Sequence, residues 1–287
     1  MFRGTGTAMI TPFREKEVDY DNFGRFINFQ IDNGVNALIV LGTTGEAPSV
    51  SEAERERIVS FAVKKVAGRV PVIIGAGSNS TVHTIETSKQ AFGLGADGVL
   101  IVTPYYNKPT QEGLYRHYRE VAENIGGPLV IYNVPGRTGC NMLPATVLRC
   151  AEIENIAGIK EASGNMAQVD QLIRDVKKLR PDFKVYSGND DQAFHLVCSG
   201  GDGVVSVLSN VKPRETSEMM NATLEGDLEK GRGLHMNLFP LMRDLFVETN
   251  PIPVKYAVSR MGYCENLLRL PLVRASHETE ELIDRYL

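Results

Sequence analysis

Eight times along this chain a short, evenly apolar run is followed by an amphipathic stretch, and this alternation constrains the fold more than any other feature. The runs are residues 4–11, 37–42, 70–75, 98–103, 128–133, 156–160, 184–188 and 203–208. Most are too short and too uniformly apolar for half-exposed antiparallel strands; strands buried on both faces read this way. Between them lie helical patterns. Residues 19–33 carry Phe23, Phe26, Ile27 and Ile31 on one face and stop at Gly34. Ser51 and Glu54 form a capping box that opens a helix running to Val66. Residues 80–94, 110–125, 143–150, 166–179, 190–198 and 212–224 continue the series. Strict βα alternation implies a parallel sheet, and eight units are the number that closes a (β/α)8 TIM barrel. An open doubly wound sheet is the alternative, but no GxGxxG follows an early strand, and Gly75-Ala76-Gly77 does not complete one.

The strand signal stops after the eighth unit. The remainder reads as helices broken by Asn250-Pro251-Ile252-Pro253 and Gly262. The expected division is a barrel catalytic domain over 1–224 and a C-terminal helical domain over 225–287. The length of 287 residues alone would allow two domains, yet α/β barrels reach this size as one unit.

Charge and cysteine usage narrow the function classes. Lys and Arg number 31 against 35 Asp and Glu, a net charge of −4 with signs mixed, so neither a nucleic-acid nor a membrane partner is expected. Cys140, Cys150, Cys198 and Cys264 are scattered without a CxxC pair, so a disulfide framework and a zinc knuckle are not expected. No charged leader with an apolar core precedes the first strand, and no apolar run approaches a membrane span. A cytoplasmic location is expected.

In a barrel, chemistry comes from the C-terminal ends of the strands. Lys160 ends an otherwise apolar run there. Free lysine titrates near 10.4, so only about 0.04 % of such an amine is neutral at pH 7, and a lysine in a buried strand either snorkels to water or is kept for reaction. The other strand ends supply Gly42-Thr43-Thr44-Gly45-Glu46, Tyr105-Tyr106-Asn107, Tyr132-Asn133 with Arg137, and Gly188-Asn189-Asp190. No HxH or HExxH spacing, nucleophile elbow or P-loop is present, so neither a metal nor a cofactor is expected. The set suits amine catalysis on a carbonyl substrate, with a hydroxyl shuttling protons and Thr or Arg groups holding carboxylates. Each residue also has a plainer use. The plainer alternatives are a Lys160–Glu161 ion pair, a Tyr132 that only fills a barrel layer, and a Thr43-Thr44 pair that is turn chemistry. Arg137 is either a substrate clamp or half of a structural ion pair, and Gly200-Gly201-Asp202-Gly203 is either a phosphate corner or a helix stop. Asp190-Asp191 reads as a helix N-cap pair.

At these residues the chain resembles the dihydrodipicolinate synthase (4-hydroxy-tetrahydrodipicolinate synthase) family of the class I pyruvate aldolase and N-acetylneuraminate lyase superfamily. The motifs are Gly42–Glu46, Tyr132-Asn133-Val134-Pro135-Gly136-Arg137-Thr138, Gly158-Ile159-Lys160-Glu161-Ala162, the stretch 102–107, and the run from Phe246 through Asn250 to Lys255. The resemblance implies a lyase in which Lys160 forms a Schiff base with pyruvate and Tyr132 moves protons. It implies that Thr43 and Tyr106 complete a hydroxyl relay, Tyr106 reaching across a subunit interface. Thr44, the main chain at Val205, and Gly188 would contact pyruvate, and Arg137 would hold the carboxylate of L-aspartate 4-semialdehyde. A homotetramer, as a dimer of dimers, and a place in the diaminopimelate route to lysine follow from the same resemblance. The Gly-Arg-Thr after the proline and the threonine at position 44 favour this reading over a sugar-acid lyase. Glu52, Arg55 and His83 depart from the pattern of lysine-inhibited members, so weak or absent lysine inhibition is expected.

Overall fold

The computed structural model describes residues 1–15 and 17–287. Its strands are β1 (Gly4–Ala8), β2 (Ala37–Val40), β3 (Val72–Gly75), β4 (Gly98–Val102), β5 (Leu129–Asn133), β6 (Ile156–Glu161), β7 (Lys184–Ser187) and β8 (Gly203–Ser206). Each pairs in parallel with its sequence neighbours, and β8 returns to β1 through Gly6 opposite Val205, closing the barrel. The (β/α)8 expectation holds. A two-residue antiparallel ribbon, Phe13–Arg14 with Glu17–Val18, follows β1.

The connecting helices are α1 (Tyr20–Asp32), α2 (Glu52–Val66), α3 (Thr81–Gly93), α4 (Gln111–Asn124), α5 (Pro144–Ala151), α6 (Met166–Leu179), α7 (Asp190–Cys198) and α8 (Pro213–Glu225). Most are started by a side-chain cap. Asp19 accepts from Asn22 N, and the Ser51–Glu54 capping box forms in full. Gly226, in the left-handed region at φ 89°, ends α8. Three further helices follow: α9 (Leu228–Asp244) packs on α7 and α8, while α10 (Ile252–Arg260) and α11 (His277–Asp284) pack on each other. Among the described residues no helix is long and apolar enough to cross a membrane.

Two strand boundaries need correction, and one short element is new. The first strand stops at Ala8 rather than Thr11, because the Ile10 N–H leaves the ladder for Asn210 Oδ1 at 3.1 Å. The third begins at Val72, after Pro71, which has no N–H to donate. Residues 135–138, between β5 and α5, form a separate helical turn. The phosphate corner is also excluded. Gly200 to Asp202 precede β8, which Gly203 opens, at the bottom of the barrel, and Asp202 there pairs with Lys177 at 2.7 Å and Lys184 at 3.2 Å. A carboxylate so placed repels a phosphate.

The core has two parts. A large apolar layer fills the space between strands and helices, and a smaller cluster fills the barrel itself. Phe2 plugs the floor of the interior and stacks on Tyr186, ring centroids 4.3 Å apart. The Tyr186 hydroxyl donates to Phe2 O at 2.7 Å. The floor is therefore sealed, and the opposite end, where the strands finish, is left open for chemistry.

Candidate active site

Strand parity decides which way Lys160 faces. Lys160 is in register with Tyr132 of β5 on one side and Tyr186 of β7 on the other. Successive side chains on a strand alternate faces, and Tyr132 and Tyr186 belong to the barrel interior. Lys160 therefore points inward with them, while Glu161 points out to the helices. There Glu161 accepts from Asn133 Nδ2 at 3.0 Å, Ser163 N at 2.6 Å and Gln168 Nε2 at 3.4 Å. The Lys160–Glu161 pairing is thus excluded.

Lys160 is 5 % exposed, and among the described residues no carboxylate lies within ion-pair distance of its amine. Its Nζ lies 4.2 Å from the centroid of the Tyr132 ring. Its stem runs along Gly188, where a Cβ would stand 3.0 Å from Lys160 Cε and 2.6 Å from Ala162 Cβ. Glycine at 188 is what gives the lysine room. Asp190 is no N-cap: Asn189 holds the cap position, and the Asp190 carboxylate is buried. Burial pushes its carboxyl pKa up, opposed by hydrogen bonds from Ser206 Oγ and the Leu208 and Val207 N–H groups, and by the charge of Lys160. The local sequence favours a cap at Asp190 because Asp is a favoured cap residue, whereas its partners lie on β8 and the loop after it.

The loop after β2 forms the opposite wall. Leu41 and Glu46 take left-handed φ values of 57° and 55° at its two ends. Gly75, at the end of β3, permits this course: a Cβ there would lie 2.1 Å from Leu41 O. The loop presents Thr43 and Thr44 toward the barrel axis. Thr44 is 2 % exposed, and its Oγ1 accepts from Asn250 Nδ2 at 3.0 Å. Arg137 projects from the helical turn after β5. Its Nη2 donates to Asn250 O at 3.1 Å, and it forms no ion pair with a described residue.

These groups surround two connected spaces. An inner cavity of about 60 Å³ is lined by Thr43, Thr44, Tyr132, Arg137, Lys160 and Gly188, with Asn250. An outer one of about 410 Å³ shares Thr43, Tyr132, Arg137 and Asn250 and reaches Tyr105. The fold thus brings six of the expected residues to one place. Two stay outside. Val205 lies in the barrel interior opposite Gly6, and Val207 is the residue near that strand's end that lines the inner cavity. Tyr106 is 89 % exposed and lines neither space. Glu52, Arg55 and His83 line a third cavity, of about 640 Å³, beside Tyr105. Asn250 was missed as a site residue, although it stands inside a motif run; nothing local says that a residue before a proline will reach Thr44.

The family model of the dihydrodipicolinate synthetase family matches residues 1–287. The chain belongs to this family. The 4-hydroxy-tetrahydrodipicolinate synthase of Kosmotoga olearia is 67 % identical over 285 residues, which cover 99 % of this chain and 97 % of that relative. The crystal structure of dihydrodipicolinate synthase from Thermotoga maritima superposes with a TM-score of 0.98 at 56 % identity, covering 99 % of this chain and 97 % of the other. The chloride-inhibited family member from Acinetobacter baumannii, solved with pyruvate, gives a TM-score of 0.96 at 40 % identity over the same shares.

Proposed function

We propose that this chain acts as a 4-hydroxy-tetrahydrodipicolinate synthase, condensing pyruvate with L-aspartate 4-semialdehyde, and that Lys160 is its nucleophile. The observation that carries the residue assignment is an inward-facing, buried amine with no carboxylate within ion-pair distance among the described residues, 4.2 Å from the Tyr132 ring, in an open barrel mouth. The amine adds to the keto carbon of pyruvate, and water leaves to give an iminium. Loss of a methyl proton forms the enamine, which attacks the aldehyde carbon; the new alkoxide takes a proton. The amino group of the second substrate then attacks the iminium carbon, closing the ring and releasing Lys160. The net change is loss of one water.

Tyr132 is the group suited to carry protons in these steps, with Thr43 beside it. Thr44 suits the pyruvate carboxylate, a main-chain contact at Val205 resting on the family resemblance alone, and Gly188 leaves space for the ketone end. Arg137, with no anionic partner among the described residues, suits the carboxylate of the semialdehyde as a bidentate donor. Tyr106 completes the relay only if a second copy supplies it, which accords with a homotetramer built as a dimer of dimers. With Glu52, Arg55 and His83 in the third cavity, lysine inhibits weakly or not at all; half-inhibition well below millimolar lysine contradicts this.

Borohydride reduction in the presence of pyruvate, followed by peptide mass mapping, tests the reading. An adduct on Lys160 is expected, and its absence ends the Schiff-base mechanism. Turnover of the semialdehyde in preference to N-acetylneuraminate separates this activity from that of a sugar-acid lyase.

A further inference from the structure

Asn250 joins the two carboxylate-binding groups. It is 5 % exposed, lines both the inner and outer cavities, and precedes α10 in the C-terminal segment. Its Nδ2 donates to Thr44 Oγ1 at 3.0 Å, and its main-chain O accepts from Arg137 Nη2 at 3.1 Å. The segment is fixed from behind. Lys255 is fully buried, and its Nζ donates to Glu46 Oε1 at 2.7 Å and to Thr11 O at 2.6 Å. Glu46 ends the loop that carries Thr44, so that loop and the Asn250 segment are tied at two points.

A hydroxyl has one hydrogen to give and lone pairs to share. At Thr44 the lone pair is engaged by Asn250 Nδ2, and the hydrogen meets no acceptor among the described residues. The hydroxyl is thereby left as a donor facing the inner cavity. We infer that Asn250 is a positioning residue: its amide makes Thr44 a hydrogen-bond donor to the carboxylate of pyruvate, while its carbonyl holds Arg137 over the same entrance. The spacing of the two carboxylate sites is then set by the C-terminal segment and not by the barrel strands alone. This inference rests on the pyruvate reading above.

The side chain and the main chain of Asn250 serve different substrates, so substitution separates them. Asn250→Ala removes the donor to Thr44 but keeps the carbonyl to Arg137. The pyruvate concentration giving half-maximal borohydride-trapped adduct is expected to rise about 5-fold, with KM for the semialdehyde within about 2-fold of the parent. Asn250→Asp is nearly isosteric but reverses the polarity. Thr44 then donates to the new carboxylate, and pyruvate loses a donor and meets a like charge. A rise of about 100-fold is expected. In a T44V background the further effect of N250D should shrink, since no hydroxyl remains to be turned.

Several results overturn the inference. One is an N250D half-saturation within about 3-fold of the parent, which is the outcome if Thr44 already donates to Asn250. Another is an equal loss for both substrates in N250A, as a purely structural role requires. If N250A does not fold, judged by thermal melting, the near-isosteric N250D decides. The parent chain provides the separate control. No adduct on parent Lys160 ends the pyruvate reading itself, whereas a parent adduct with an unshifted N250D ends only the role given to Asn250.

Discussion

Lys160 owes its position to a glycine as much as to its own strand. A Cβ at 188 would press on Lys160 Cε at 3.0 Å and on Ala162 Cβ at 2.6 Å, the latter closer than atoms of this kind approach. Gly188→Ala must therefore move the amine, and displacements of about 1 Å at a reacting group cost about 100-fold in rate. The expected result is a fall of that order in the rate of pyruvate trapping, with a loss of about 1–3 kcal/mol in stability from the crowding against Ala162; an unaltered trapping rate removes the link between the two residues. His117 carries a different kind of prediction. It is 6 % exposed, its Nδ1 lies 3.0 Å from Thr81 Oγ1, its Nε2 has no partner among the described residues, and burial lowers its pKa from 6.5 to about 4. A histidine depressed in the folded state is neutral there while the unfolded chain takes up a proton. Its contribution is intact above about pH 6.5 and lost as pH falls toward 4, by up to roughly 3 kcal/mol. Urea unfolding of His117→Gln at several pH values should show a flatter acid limb than the parent. Lys160 and Tyr132 were visible in the sequence because an amine and a phenol ending apolar runs are out of place there. Asp190 was visible but misread, since its bonds to Ser206, Val207 and Leu208 cross from one βα unit to the next.

At the scale of elements, the loop after β2 is held in a costly course by partners far along the chain. Leu41 and Glu46 both adopt left-handed φ, and the Glu46 carboxylate is fixed by Lys255 Nζ at 2.7 Å and Arg269 N at 3.0 Å. Neither member of the Glu46–Lys255 pair is more than 1 % exposed at its side chain. Such a pair contributes modestly to net stability, but breaking it strands a buried charge at a cost of about 3–5 kcal/mol. Lys255→Met is therefore expected to lower stability by that amount in denaturant unfolding. Replacing both partners with apolar residues should recover much of it. A loss under about 1 kcal/mol for the single change contradicts a dry, mutually dependent pair. The helix starts were legible because capping is local: Ser51 and Glu54 satisfy each other's neighbours within one turn. The one-turn helix at Pro135–Thr138 was not, since four residues carry no period and its role is to aim Arg137 at a carbonyl of the C-terminal segment.

The whole molecule raises the question of what completes the site. Tyr106 lies on the surface at φ 72°, in a backbone conformation unusual for a tyrosine, and reaches neither cavity of its own chain. If a second copy receives it, Tyr106→Phe should lower turnover by about 10- to 100-fold. Complementation then distinguishes the two arrangements. Co-expressed K160A and Y106F chains form mixed pairs in which one site has both groups, and about a quarter of the parent activity returns from random pairing. If Tyr106 serves its own chain, the mixture shows no more than the sum of its parts.

The properties of this chain that repeat at short range can be read directly from its residues. The eight apolar runs, the helical period between them and the caps declare a parallel barrel, and strand alternation turns Lys160 inward and Glu161 outward once the strands are known. Which residues meet across the mouth depends on the folded whole. Asn250 reaches Thr44 from 206 positions away, and Lys255 reaches Glu46 from 209. Asp202 spends its charge on two lysines at the barrel floor. The physical reason is one of range. Periodicity and capping record interactions over a few residues, where chain geometry alone sets the spacing. A hydrogen bond across the barrel mouth depends on closure of the whole sheet and on the docking of the last helices, which no local pattern encodes.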